Sequence, residues 1–502
     1  MKKTLFIKNA AVLTSTGLIL RLFGIIFKIW LTRMIGQEGI GLYQIVFSFY
    51  VLASTFATTG IPTAVTRLCG DEANSKKGIK RIISITLLIT VVLACITVFL
   101  LYFGADFISV KILSELRASL SIRIMGFSLP FTGICSCLRG YFIARRKATP
   151  PAVSQILEQI ARILFVLVGI NLTGTARIDV VCATVMLADA VAEGISCLFL
   201  AVIYRRDLSK LKNGKAPSLS HGDILKKTGE IAVPITGGRY LNSFLRTFEN
   251  VLVPKKLIKF GCSGESALSM LGMIKGSALP ILFFPSTLLN SMSTLLLPEL
   301  STAEKKRNAA AIKATIEETV TSIIFASILI SALFFVYGEE LGVLFYNNRA
   351  VGRLIKALAP TVPFMYLDSI CDGMLKGLNK QAFTFIISVT DSIIRLGLVA
   401  IVVPKYGIHG FVAIMYFSNA FTGFLNIGML LKTGKAKIAI TKSILTPVCC
   451  AITVTLAVDL LIRSIVPDCA IVYIILTTLL SAILYIYSIS KISGYNFFKN
   501  LV

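Results

Sequence analysis

The feature that most constrains this chain is a rhythm. Apolar runs long enough to cross a bilayer, about 20 residues each, recur from end to end and are separated by short basic gaps. Spans are expected at 10–33, 41–66, 81–103, 119–143, 150–171, 178–203, 228–254, 266–298, 314–337, 355–379, 381–403, 408–431, 440–463 and 469–490. Backbone amides in lipid must find partners within their own segment, so such runs read as helices. The fold class that follows is an all-α membrane protein of about fourteen transmembrane helices. Composition agrees: 55% of residues are hydrophobic and 15% charged, against roughly 25% charged in soluble domains.

The net charge of +26 would suggest nucleic acid in a soluble protein. Here the basic residues mark topology, and no nucleic-acid partner is expected. Alternate gaps carry about 31 Lys and Arg on one side and about 13 on the other, with seven inside spans. By the positive-inside rule both termini are cytoplasmic and the span number is even. Met1-Lys2-Lys3 before an apolar run superficially looks like a signal peptide. Arg21 and Lys28 interrupt that run, so it reads as an uncleaved first helix. The eleven cysteines are scattered, mostly within apolar runs, and His221 and His409 stand far apart. No metal site and no cofactor are expected.

Two halves of the chain share a weak register. Thr16-Gly17 and Arg21 in the first span find a counterpart in Thr236-Gly237 and Arg239 in the seventh. Pro130-Phe131 with Leu138-Arg139-Gly140 is matched by Pro363-Phe364 with Leu375-Lys376-Gly377, and Glu158/Arg162 by Asp391/Arg395. Such repeats are common in transporters, with substrate between them. The expected organisation is two pseudo-symmetric six-helix lobes: 1–203, then a basic cytoplasmic linker 204–227 near anionic lipids, then 228–431. Residues 432–502 hold two additional C-terminal helices.

Ionisable groups at bilayer depth cost about 2.5–3.5 kcal/mol each at a helix centre, so each needs a reason. Glu158 and Arg162, and Asp391 and Arg395, are four apart and share a helix face. They are lobe-stabilising pairs or substrate contacts. A second kind is cationic. Arg21 and Lys28 lie seven apart on one face with Thr14, Gly17 and Gly24. Arg239, Asn242, Ser243, Arg246, Glu249 and Asn250 form a polar stripe on a helix that also carries Pro234 and Gly237-Gly238, residues that favour bending or local unwinding. Lys275 adds another cation. A wet cavity lined by these groups from both lobes selects anions, and arginine forks match phosphate oxygens. The candidate substrate-binding set is Arg21, Lys28, Arg239, Asn242, Arg246 and Lys275. The acids Asp189 and Glu193, and Asp368 and Asp372, bind a coupling cation or partner basic groups across helices. Glu249, Asp368 and Asp372 are the ion-coupling candidates. An enzyme is not expected, because no gap is long enough for a catalytic domain.

The run Ile35-Gly36-Gln37-Glu38-Gly39-Ile40-Gly41-Leu42-Tyr43-Gln44, with Gly60-Ile61-Pro62 and Leu138-Arg139-Gly140-Tyr141-Phe142, resembles the stage V sporulation protein B family. These are polysaccharide-biosynthesis-type members of the multidrug/oligosaccharidyl-lipid/polysaccharide exporter superfamily. The resemblance implies a cell-membrane flippase with alternating access, serving spore cortex peptidoglycan synthesis. Its implied cargo is lipid II or a similar undecaprenyl-diphosphate-linked saccharide. It also implies relatedness to lipid II flippases, whose first helix carries essential arginines. One such position matches Arg21; another falls at Phe27 beside Lys28, and the arginine expected near Tyr43-Gln44 is missing. The two extra helices would help form a groove for the lipid tail. The alternatives are an ion-coupled multidrug exporter or an exporter of another lipid-linked polysaccharide precursor. A monomer is expected. The coupling ion or membrane potential that drives the cycle is not specified by the sequence.

Overall fold

The computed structural model describes residues 2–58, 60–72, 75–173, 177–211, 219–287, 300–439, 441–464 and 470–493. Among them helix is the only regular secondary structure, and the described residues of the fourteen expected spans are largely helical. The end of the eighth, 288–298, and residues 212–218 of the basic linker lie outside the described residues.

Local sequence explains where the helices stop. The stretch Lys2–Thr58 is broken at Gly36, whose φ of 72° and ψ of −179° are open to glycine and disfavoured for other residues. This yields α1 (2–35) and α2 (37–58). Lys28 and Gln44 would be about 24 Å apart on a straight helix, yet Lys28 Nζ donates to Gln44 Oε1 at 3.5 Å. The chain therefore folds back on a single residue. Gly407 (φ 58°, ψ −136°) divides Gln381–Gly434 in the same way.

The second span continues as α3 (Ile61–Asp71), followed by α4 (Lys76–Phe107), which Ser75 caps by accepting from the Gly78 amide at 3.0 Å. Then come α5 (Leu116–Ala144), α6 (Thr149–Thr173) and α7 (Ile178–Ser209). Ser220 and Asp223 cap α8 (His221–Phe260) reciprocally: each backbone amide donates to the other's side chain, at 3.2 and 3.1 Å. Those bonds hold the Asp223 carboxyl below its usual range. The helices α9 (Gly264–Phe283), α10 (Ala309–Tyr346) and α11 (Arg349–Gly377) follow. Asn347 ends α10 in the left-handed conformation, and Asn348 caps α11 by accepting from the Ala350 amide at 2.8 Å. The two halves of Gln381–Gly434 are α12 (381–406) and α13 (408–434). They precede α14 (Thr441–Arg463) and α15 (Ala470–Ser493).

Among the described residues, ten helical segments are long and apolar enough to cross a membrane. Their outward faces are those of a lipid-solvated protein: Phe103 is 70% exposed, Leu172 82% and Leu460 73%. The chain is a multi-pass membrane protein. Lys2–Thr58 and His221–Phe260 are not among those ten, and they are the stretches that carry the two cationic stripes.

The chain divides into two compact units. The first comprises Met1–Lys255 with Gly264–Gly272, and the second Lys256–Ser263 with Met273–Val502. The contacts therefore do not divide at the expected lobe boundary of 228, because α8 is held by the first unit. Thr247 Oγ1 donates to the Ser48 carbonyl at 2.9 Å, and the Thr55 and Ser243 hydroxyls meet at 3.2 Å. A Cβ on Gly60 would lie 2.5 Å from the Ala232 carbonyl. α8 also remains helical through Pro234 and Gly237-Gly238, so the expected local unwinding is not seen. The first unit's core gathers Ile61, Leu68, Ile82, Leu138, Tyr141 and Phe142. In the second unit, Tyr337, Val458 and Tyr473 join α10 to α14 and α15, and Tyr485 donates to the Phe325 carbonyl at 3.0 Å.

Candidate functional site

The first unit contains the motif at 35–44, and its side chains explain its composition. Gly36 makes the fold-back. Glu38 accepts from Arg117 at 2.6 Å, and Arg117 is also bound to Glu115 at 2.7 Å. The Gly39 carbonyl accepts from the Cys182 thiol at 3.7 Å. A Cβ on Gly41 would lie 2.1 Å from the Leu268 carbonyl, so no larger residue fits against α9. Gln44 holds Lys28.

On α2, Gln44, Ser48 and Thr55 stand at offsets of four and eleven, which places them on one helix face. That face receives Lys28 from α1 and Thr247 and Ser243 from α8. Both neighbours run antiparallel to α2. Two turns back from Lys28, Arg21 comes level with Val51. Arg246, next to Thr247, falls level with residues 49–52. Arg21 of α1 and Arg246 of α8 thus fall at about the same level along α2, with Lys28 and Arg239 each two turns away from them. Arg21, Arg239 and Arg246 are exposed, and none of them forms an ion pair among the described residues. Arg239 and Arg246, two turns apart, share a face that flanks Ser243 and Thr247. Asn242 is half-buried; Glu249 and Asn250 are buried. Lys275 belongs to the second unit, in the π-helical stretch Gly272–Ala278, with its ammonium 5.8 Å from the Phe411 ring centroid. The cation set expected from two lobes is therefore supplied by the first unit, Lys275 excepted.

The paired charges are of a different character. Glu158 accepts from Arg162 at 3.2 Å, as the four-residue spacing implies. It also accepts from Arg139 of α5 at 2.7 Å, and Arg162 in turn is bound to Asp189 of α7. Arg139 was not among the sequence candidates: it appeared only within the repeated Leu138-Arg139-Gly140, and only tertiary packing reveals its partner. In the second unit, Asp391 accepts from Ser418 at 2.7 Å, Asp368 from Asn426 at 2.7 Å, and Asp372 from Lys376 at 2.5 Å. Arg395 follows Asp391 one turn later on α12.

A separate cavity of about 500 Å³ in the first unit is lined by Phe56, Ile89, Leu93, Leu225, Val233 and Tyr240, among others. Its wall is apolar, and the cationic residues are not part of it. No group of three or more His, Cys, Asp or Glu able to hold a metal occurs among the described residues.

Residues 6–301, more than half of the chain, match the family described as "Polysaccharide biosynthesis protein". Stage V sporulation protein B of Bacillus subtilis (strain 168) is 26% identical over 416 residues, covering 82% of this chain and 80% of that protein. The lipid II flippase MurJ of the same organism is 24% identical over 453 residues, 84% of this chain and 82% of the relative. Among solved structures, lipid II flippase MurJ in an inward closed conformation superposes with a TM-score of 0.73 at 14% identity, covering 99% of both chains. An inward-facing multidrug resistance MATE family transporter gives 0.64 at 13% identity, covering 85% of this chain and 98% of its own. These structural likenesses establish a shared fold.

Proposed function

The chain belongs to the polysaccharide biosynthesis protein family, and from that premise we propose that it is a flippase for a lipid-linked, diphosphate-bearing saccharide. The observation that carries this reading is the arrangement around α2. Arg21 from α1 and Arg246 from α8 fall at about the same level along a single polar face of α2, with Lys28 two turns away on that face, and the two arginines keep their guanidinium groups free of carboxylates among the described residues. A guanidinium fork binds phosphate oxygens with charge-assisted hydrogen bonds of about 1.5–3 kcal/mol each. A diphosphate headgroup offers enough oxygens for several such forks. An organic cation is repelled by them.

In this reading the headgroup is held by Arg21, Lys28, Arg239, Asn242 and Arg246, with Lys275 assisting. The prenyl tail stays in lipid, and the protein exposes the bound headgroup to one side and then the other. The cytoplasmic membrane is the site of action, with both termini in the cytoplasm and the basic linker against anionic lipid. The named relatives include a lipid II flippase and a sporulation protein, which favours a peptidoglycan precursor for the spore cortex. A cation-coupled exporter of drugs needs acids free to exchange a cation. Asp372 and Asp368 are instead engaged by Lys376 and Asn426, and Glu249 is buried.

The test is flipping in vesicles made with purified protein. Fluorescent lipid II, another undecaprenyl-diphosphate sugar and a prenyl monophosphate sugar are compared. The expected result is faster flipping of diphosphate cargo than of monophosphate cargo, slowed about tenfold to a hundredfold in Arg21→Ala and Arg246→Ala. Equal rates with and without protein for every diphosphate cargo would sink the proposal. A cysteine placed at position 246 should react with water-soluble reagents; a dry, unreactive site removes the hydrated pocket.

A further inference from the structure

The interior of the first unit holds a charge cluster that does not balance. Arg139 of α5 and Arg162 of α6 face three carboxylates: Glu158 of α6, and Asp189 and Glu193 of α7. Glu158 bridges both guanidinium groups, and Asp189 takes the Arg162 Nε. Arg162 also donates to Gln159 at 2.9 Å, and Arg139 to Ser196 at 3.2 Å. The two arginines are thereby committed. Glu193 is 5% exposed, and its Oε2 has no hydrogen-bond partner among the described residues.

A carboxylate buried with one oxygen unpartnered is an expensive arrangement. The neighbouring elements offer it little relief. α5 presents Cys135, whose thiol donates to the Glu193 backbone carbonyl at 3.8 Å, together with Arg139. α6 presents Glu158 and Arg162. α2 presents Tyr50, whose hydroxyl is shared with Thr132, and Tyr43 lies by Asp189 and Arg162. On α7 itself, Asp189 precedes Glu193 by one turn and Cys197 follows by one. A metal ion does not fit the imbalance: the cluster does not form a metal-holding group among the described residues, and guanidinium groups already occupy the Glu158 and Asp189 oxygens.

We propose that Glu193 is a proton-binding site, and that the first unit exchanges one proton with water there as the protein changes conformation. With the proton on, the cluster holds two cations against two anions and is neutral. With it off, Glu193 becomes a rival for Arg139, whose Nη2 already reaches Ser196, one turn away from Glu193 on α7. Arg139 then moves from Glu158 of α6 towards Glu193 of α7. The proton thereby selects which helix α5 is tied to. That this switch is linked to cargo movement rests on the transporter reading; the proton site itself does not.

The site is tested without cargo, on purified full-length protein in lipid, by infrared spectroscopy in water and heavy water. The wild type is expected to show the carbonyl band of a buried, protonated carboxyl at neutral pH. That band should shift with isotope-labelled glutamate but not with labelled aspartate, and disappear as pH is raised. Glu193→Gln mimics the protonated form in shape and should lose the band. Absence of the band in the wild type at neutral pH overturns the proposal, and so does its persistence in Glu193→Gln. If Glu193→Gln does not accumulate, the wild-type titration and glutamate labelling still decide, because a band that follows labelled aspartate also overturns it. Sodium chloride that removes the band where potassium chloride does not assigns the site to a metal cation and refutes proton binding. The cargo arm is read separately: an imposed pH gradient should change flipping severalfold in the wild type and leave Glu193→Gln unchanged. A confirmed band with no pH effect on flipping leaves the proton site standing and removes its coupling to transport.

Discussion

Arginines occur in two settings within the first unit, and the contrast separates structure from function. Arg139 and Arg162 are tied into α5, α6 and α7 by Glu158 and Asp189. Arg21 and Arg246 are exposed and form no ion pair among the described residues. Arg139 and Arg162 lie in helices long and apolar enough to cross a membrane, and Arg21 and Arg246 in spans expected from the sequence; at that depth a charge is costly. The first pair offsets that cost within the protein. The second leaves it to water or to a guest. A charge already paired by its own fold is a brace, whereas one left open is available to bind.

The contrast is easiest to break by truncation. Arg162→Ala should have the largest effect, because it strands Asp189 and half of Glu158; losing one partner of a buried pair costs about 3–5 kcal/mol. The expected outcome is a sharp fall in folded protein on size-exclusion chromatography and in thermal stability, and a normal yield would show that the cluster is not a brace. Arg21→Ala and Arg246→Ala should leave folded yield intact and slow flipping about tenfold to a hundredfold, the equivalent of one charge-assisted bond each. Loss of folded protein in these variants would erase the distinction. Arg246→Lys keeps the charge and loses the fork; a drop of roughly threefold to tenfold in flipping is expected, and full activity would argue that charge alone matters. Smallest is Glu38→Ala, which breaks a partly exposed pair with Arg117. It should lower thermal stability by no more than about 1 kcal/mol and leave flipping unchanged.

Much of this was readable from the chain alone, for physical reasons. The spans follow from hydropathy, and the Glu158–Arg162 pair from a four-residue spacing, both local properties. The stripe on α1 was legible because Arg21 and Lys28 repeat at two turns. What escaped depends on contacts between distant segments. Arg139 finds Glu158 across two helices, and no spacing along the chain encodes that. The allegiance of α8 to the first unit rests on Thr247 and Ser243 meeting α2, where a repeat in the sequence had suggested a clean division at 228. The reversal between the spans 10–33 and 41–66 was expected, but that Gly36 alone makes it was not legible, because a loop of several residues is usual.

That one-residue turn leaves no slack between α1 and α2. A tilt of either helix must be passed to the other, as in a folding ruler with a single rivet. Because α2 also grips α8 through Ser48 and Thr55, a pull on α1 at Arg21 acts as leverage on the helix that carries Arg246. Inserting a few flexible residues at 36 would put play into that joint, and the two arginines would then lose their common level.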